Sequence, residues 1–104
     1  MDQYVMEDAA RYRWLRADGI NWLEHSVLDS AVVIADGDKL DREVDVKRQG
    51  VVISESTDPE ADAARYRLIR GGMLWSFKDS YVDYPPIFPT GDALDKVIDA
   101  LRGA

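Results

Sequence analysis

The sequence predicts an α+β fold of two α-β-α units, related by an internal duplication, arranged about a pseudo-twofold axis and sharing one core. Three observations predict it. Asp8-Ala9-Ala10-Arg11-Tyr12-Arg13-Trp14-Leu15-Arg16 matches Asp62-Ala63-Ala64-Arg65-Tyr66-Arg67-Leu68-Ile69-Arg70, a shift of 54 residues. Gly37-Asp38-Lys39-Leu40-Asp41-Arg42-Glu43-Val44-Asp45 matches Gly91-Asp92-Ala93-Leu94-Asp95-Lys96-Val97-Ile98-Asp99 at the same shift of 54. Between these blocks the alignment runs without gaps and keeps apolar pairs such as Ile20 with Leu74, Leu23 with Phe77 and Ile34 with Phe88. Repeats that each expose an apolar face bury those faces against each other, so residues 1–54 and 55–104 are expected to form one domain.

The elements follow in order. Val5, Ala9, Tyr12 and Leu15 recur at helical spacing, predicting a helix from Asp2 to about Ala17 with Asp8, Arg11 and Arg13 off its apolar stripe. Asp18-Gly19 supplies residues that tolerate the left-handed conformation at its end. Ala31-Val32-Val33-Ile34-Ala35 is a short β-branched run and reads as a strand. Asp36 stands where an N-cap belongs, and Leu40, Val44 and Lys47 continue at helical spacing toward Gly50. Val51-Val52-Ile53 reads as another strand. The polar junction Ser54 to Asp58 is too short to let two independent domains swing apart.

In the second unit, Thr57 with Glu60 reads as a capping box, Pro59 suits a first turn, and Gly71-Gly72 stops a helix whose buried face is Ala63, Tyr66 and Ile69. Met73 to Phe77 is an apolar and aromatic strand candidate. Tyr84-Pro85-Pro86-Ile87-Phe88-Pro89 contains three prolines, which remove three ladder donors and confine it to an edge or an extended loop. Thr90 is the N-cap counterpart of Asp36, and Leu94, Ile98 and Leu101 form the final helical stripe, ending near Gly103.

The 104 residues carry 13 Lys and Arg against 20 Asp and Glu, a net charge of −7. Such a charge repels nucleic-acid phosphates and membrane surfaces, so direct binding to either is not expected and a partner should be a protein with a basic surface. The absence of cysteine excludes disulfides and thiol chemistry. There is no long apolar run and no basic-then-apolar N-terminus, so a cytoplasmic protein is expected.

Candidate sites are few. His25 is the single histidine, and Ser26 beside it points elsewhere, so no nucleophile-base pair is expected and His25 reads as a surface or strand-edge residue. No metal-ligand spacing, cofactor motif or phosphate loop is present, and neither a cofactor nor catalysis is expected. The arginine triplets Arg11, Arg13, Arg16 and Arg65, Arg67, Arg70 could bind anions. They compete for the aspartate pairs Asp41, Asp45 and Asp95, Asp99, whose i, i+4 spacing lets them face the arginine helices, and internal pairing is the favoured reading. Asp36, Asp38, Asp41, Glu43 and Asp45, with Glu55, Asp58, Glu60 and Asp62, could imitate a phosphate backbone, although acids also gather at helix starts to complement the dipole, which is the favoured reading. Trp75, Phe77, Tyr81, Tyr84 and Phe88 surround the proline-rich stretch. Tyr81, Tyr84, Pro85, Pro86 and Phe88 are therefore the preferred partner rim, and Asp36, Asp38, Asp41, Glu43 and Asp45 are the five acids named as separate candidate partner contacts.

An Arg-Tyr-Arg-x-Leu-Arg helix followed by Leu-Asp-x-x-Ile-Asp-Ala resembles short phage and prophage proteins. Arg11 to Arg16 carries the first element, Arg65 to Arg70 varies it with isoleucine, and Leu94 to Ala100 carries the second. The first copy departs from it at Glu43, Val46 and Lys47. The resemblance implies a phage-type accessory protein and brings no activity or site residues with it; together with small size and acidity it leads to the expectation of a protein that binds a host protein, for example as an inhibitor of a bacterial defence complex such as a CRISPR effector. The alternative is an adaptor or homodimeric scaffold with no inhibitory role.

Overall fold

Four helices and a small antiparallel sheet account for the regular structure of a computed structural model that describes residues 3–28, 31–49, 58–72, 75–76 and 87–103. Helix α1 spans Gln3–Arg16, α2 Gly37–Arg48, α3 Pro59–Arg70 and α4 Gly91–Gly103. Strands β1 (His25–Leu28), β2 (Ala31–Ile34) and β3 (Trp75–Ser76) form one antiparallel sheet in that order. His25 pairs with Ile34 and Leu28 with Ala31, while Ala31 and Val32 pair with Ser76 and Trp75 on the other side of β2. The expected strand at Val51–Ile53 lies outside the described residues, as do Met73, Leu74 and Phe77.

Strand β1 and a 3-10 turn at Gly19–Trp22 are additions to the elements expected from sequence. The turn forms because Asp18 takes a left-handed φ of 91° and its carboxylate accepts bonds from Asn21 Nδ2 (2.8 Å) and Trp22 Nε1 (3.3 Å). Local side-chain bonds of this kind compensate the backbone for leaving the helix.

Helix α3 starts one residue later than the expected box places it. Asp58 is the N-cap, accepting from Ala61 N at 3.2 Å, with Pro59 in the first turn, whereas Thr57 lies outside the described residues. Asp58→Ala should therefore lower the free energy of unfolding by about 1 kcal/mol in urea titration. Asp36 does hold the N-cap position of α2, yet its side chain makes no capping bond. The next residue, Gly37, has φ +54°, and its counterpart Gly91 at the start of α4 has φ +58°. A residue with a Cβ is disfavoured in that region, which accounts for glycine opening both Leu-Asp blocks. Helix α2 ends at Gln49, itself left-handed with φ 52°, one residue before the expected Gly50.

The core is a single cluster to which all four helices, β2 and the 3-10 turn contribute. Ten of its members fall into five pairs 54 residues apart: Tyr12 and Tyr66, Leu15 and Ile69, Leu40 and Leu94, Val44 and Ile98, Ile34 and Phe88. Helices α1 and α3 pack most extensively against each other, and α2 and α4 flank them. The small Ala9 and Ala63, both buried, belong to the two central helices. Val5 is only half-buried, and Lys47 and Leu101, expected on the inner faces of α2 and α4, are exposed. The buried stripe of each outer helix is two turns long, Leu40 with Val44 and Leu94 with Ile98, and the last turn extends beyond the core.

Candidate functional site

The two arginine triplets pair with carboxylates of the chain itself, with Arg67 the most exposed of the six. Arg11 Nε and Nη2 donate to the two oxygens of Asp45 at 2.9 and 2.7 Å, and Nη1 donates to Asp8 Oδ1 at 2.8 Å. Arg65 does the same with Asp99 at 2.9 and 2.8 Å and with Asp62 at 2.8 Å. These fork-shaped pairs tie α1 to α2 and α3 to α4, using the planar geometry that lysine lacks.

A second set of contacts crosses between the halves. Tyr12 OH donates to Asp95 Oδ1 at 2.5 Å, and Tyr66 OH donates to Asp41 Oδ1 at 2.6 Å. Arg16 holds Asp95 and Asp92, each at 2.8 Å through Nη2, while Arg70 holds Asp41 at 2.9 Å and Asp38 at 2.7 Å. Arg67 Nε donates to Asp8 Oδ2 at 2.9 Å, and Arg13 Nη1 lies 3.6 Å from Asp62 Oδ2. The guanidinium of Arg11 sits 5.9 Å from the Tyr66 ring centroid, and that of Arg65 sits 5.9 Å from the Tyr12 centroid, a cation-π arrangement. Within each set, every one of these contacts has a counterpart when its residue numbers are moved by 54.

The electrostatic consequences follow from these partners. The hydrogen bond from Arg11 holds the Asp45 carboxyl below the ordinary carboxylate value, and Arg65 does the same to Asp99. Burial pushes Asp95 upward, but the bonds from Arg16 and Tyr12 outweigh it and leave that carboxyl lowered. Burial, reinforced by the Asp95 and Asp41 carboxylates, raises both Tyr12 and Tyr66 well above the ordinary phenol value. Stability should therefore be level between about pH 5 and pH 9. It should fall as acid protonates Asp45, Asp95 and Asp99 below the ordinary carboxylate range, because the unfolded chain takes up those protons first. It should fall again above about pH 10, where the unfolded tyrosines ionise before the folded ones. Urea midpoints measured across this range check both limbs.

Of the residues proposed as a partner rim, Phe88 is described. Tyr81, Tyr84, Pro85 and Pro86 lie outside the described residues. Phe88 is buried in the core, so it anchors the segment instead of forming its rim. Its backbone is clasped by Asn21: Phe88 N donates to Asn21 Oδ1 at 2.6 Å, and Asn21 Nδ2 donates to Phe88 O at 3.3 Å. The neighbours of this clasp, Trp22 and Ile87, are 70% and 59% exposed. Neither was singled out by periodicity, because a lone exposed apolar residue leaves no pattern. Of the five acids, Asp41 and Asp45 belong to the network, and Asp38 is exposed while accepting from Arg70. Glu43 Oε2 accepts from Glu24 N at 3.0 Å, and Asp36 is exposed before α2. His25 is exposed at the start of β1, as a strand-edge residue.

The carboxylate of Asp8 was placed off the buried stripe by sequence, yet it and its counterpart Asp62 are both buried between α1 and α3. Each receives one arginine from its own helix and faces one from the other. A depression of about 430 Å³ opens over Asp8, Asp38 and Asp41, where Arg11, Arg67 and Arg70 are already neutralised by these carboxylates. Among the described residues no group of three or more His, Asp or Glu is placed to hold a metal ion, and no helix is long and apolar enough to cross a membrane. Compared with protein-family models, curated proteins and solved structures, the chain matches none.

Proposed function

We propose that the chain is a phage-type accessory protein, built by tandem duplication, that works by binding a host protein with a basic surface. The foremost target is a nucleic-acid-handling defence complex such as a CRISPR effector in the bacterial cytosol. One observation carries the contact surface: Trp22 is 70% exposed, held by Asp18 at 3.3 Å, and its neighbour Asn21 is clasped to the backbone beside the exposed Ile87. An exposed aromatic residue held beside a carboxylate is an anchor that a basic protein surface accepts, because the ring fills a pocket while the acid meets its rim.

The distribution of charge supports this reading. The six repeat arginines are drawn into internal pairs, so the surplus of 20 acids over 13 bases is expressed outward, at residues such as Glu24, Asp36 and Glu60. The fork-shaped repeats then serve as scaffold, and the recognition surface lies where the two copies differ, since Trp22 corresponds to Ser76 and Asn21 to Trp75.

Affinity capture from a bacterial lysate tests it. The wild-type chain should retain a basic partner at about 0.1 M salt and release it near 1 M, where screening shortens to about 3 Å. Trp22→Ala should lose that partner while keeping its urea midpoint. Retention at high salt, or unchanged capture by Trp22→Ala, contradicts the reading.

A further inference from the structure

Apart from the Asn21–Phe88 clasp and the β2–β3 pairing, the side-chain bonds by which the helices of one half hold those of the other have the same chemistry on both sides. Tyr12 and Arg16 of α1 reach Asp95 and Asp92 of α4, while Tyr66 and Arg70 of α3 reach Asp41 and Asp38 of α2. Arg67 reaches Asp8, and Arg13 faces Asp62. The surface presented by α1 and α2 thus meets a surface of its own residue types at its own spacing. Such a pairing is isologous in the way a twofold homodimer interface is, although here one chain supplies both sides. Ten residues separate Arg48 at the end of α2 from Pro59 at the start of α3. Nothing in the bonding between the halves requires that both come from the same chain.

We propose that the protein exchanges halves with a second copy of itself, giving a dimer in which α1 and α2 of each chain pack on α3 and α4 of the other through the same tyrosine, arginine and aspartate bonds. The exchanged dimer makes every inter-half bond of the monomer, so the balance between them is set by concentration. A short connection holds its two ends at an effective concentration in the millimolar range, and exchange becomes competitive when the chain itself reaches about 1 mM. The inference rests on the reciprocal contacts and is independent of which partner the exposed Trp22 surface engages.

Two full-length variants test it by complementation. Asp41→Arg opposes Arg70 within one chain, and Arg70→Asp opposes Asp41 within the other, so each alone should unfold at a lower urea concentration than wild type. Refolded together at about 1 mM, they should form a one-to-one heterodimer with a midpoint restored toward the wild-type value, because only exchange places each substituted residue opposite the other. A mixture that stays monomeric and unfolds as the sum of its components overturns the proposal. The wild-type chain gives a second reading that needs no variant. Refolded from urea at about 1 mM it should yield a dimer by light scattering that persists after dilution, since reversal requires the halves to separate. A chain that is monomeric after every such refolding, or a dimer that dissociates at once on dilution, also overturns it.

Discussion

Tyr66→Ala should lower the free energy of unfolding by about 4 kcal/mol, and Tyr12→Ala by a similar amount. Both rings are fully buried at the junction of the halves, so truncation leaves a cavity in the shared core. It also strips one donor from a carboxylate of the opposite half, Asp41 or Asp95. Tyr66→Phe separates these contributions. It keeps the packing and removes only the hydroxyl, and because Arg70 still holds Asp41 the cost should be about 1–2 kcal/mol. Against a total stability of roughly 5–15 kcal/mol for a domain, the alanine variants approach the limit of what the fold tolerates, and urea or thermal unfolding followed by circular dichroism will show it. A cost near 1 kcal/mol for Tyr66→Ala would mean that the ring is not part of the core.

The second large effect should come from Asp62→Ala, at about 3 kcal/mol. Removing one member of a buried ion pair costs roughly 3–5 kcal/mol because the partner is left with an uncompensated charge. The lower end applies here, since Arg65 and Arg13 retain side-chain exposures of 18% and 20% and solvent screens them in part. Arg65 also keeps Asp99. Glu60→Ala, an exposed acid of the same helix, should change stability by less than about 0.5 kcal/mol. A similar response at both positions would show that charge, and not the particular buried pair, is what α3 needs.

Much of this arrangement is legible in the amino-acid sequence. The 54-residue shift pairs Tyr12 with Tyr66 and Leu40 with Leu94, and each pair occupies the core. The Asp41, Asp45 and Asp95, Asp99 spacings do face the arginine helices. The burial of Asp8 and Asp62 is different. Helical periodicity separates apolar from polar faces, so it assigns an aspartate to solvent. Only the approach of a second helix, bringing Arg67 to Asp8 and Arg13 toward Asp62, makes a buried carboxylate tolerable. Strand β1 was missed because His25-Ser26-Val27-Leu28 shows no alternation of polar and apolar residues, and its pairing to β2 is a tertiary fact. Lys47 and Leu101 were assigned inward because a stripe in sequence carries no sign of where the neighbouring element ends.

The exposed anchor is the least legible feature. Phe88 looks like a rim residue beside three prolines, and the Asn21 clasp instead turns its ring inward and leaves Ile87 outside. No local pattern encodes a bond between residues 21 and 88. The same holds for the partition of the acids, where Asp41 and Asp45 become scaffold and Asp36 remains at the surface only because of where α1 and α3 place their arginines.

The central claim is that the repeated motifs form one reciprocal interface that holds the two halves together. Paired double-mutant cycles test it most directly: Tyr12→Phe with Asp95→Asn, and Tyr66→Phe with Asp41→Asn, each followed by urea unfolding. Both cycles should give a coupling of about 1–2 kcal/mol, equal within error. Additivity within about 0.5 kcal/mol in either cycle would contradict the claim, because it would show that the tyrosine and aspartate of that pair act independently.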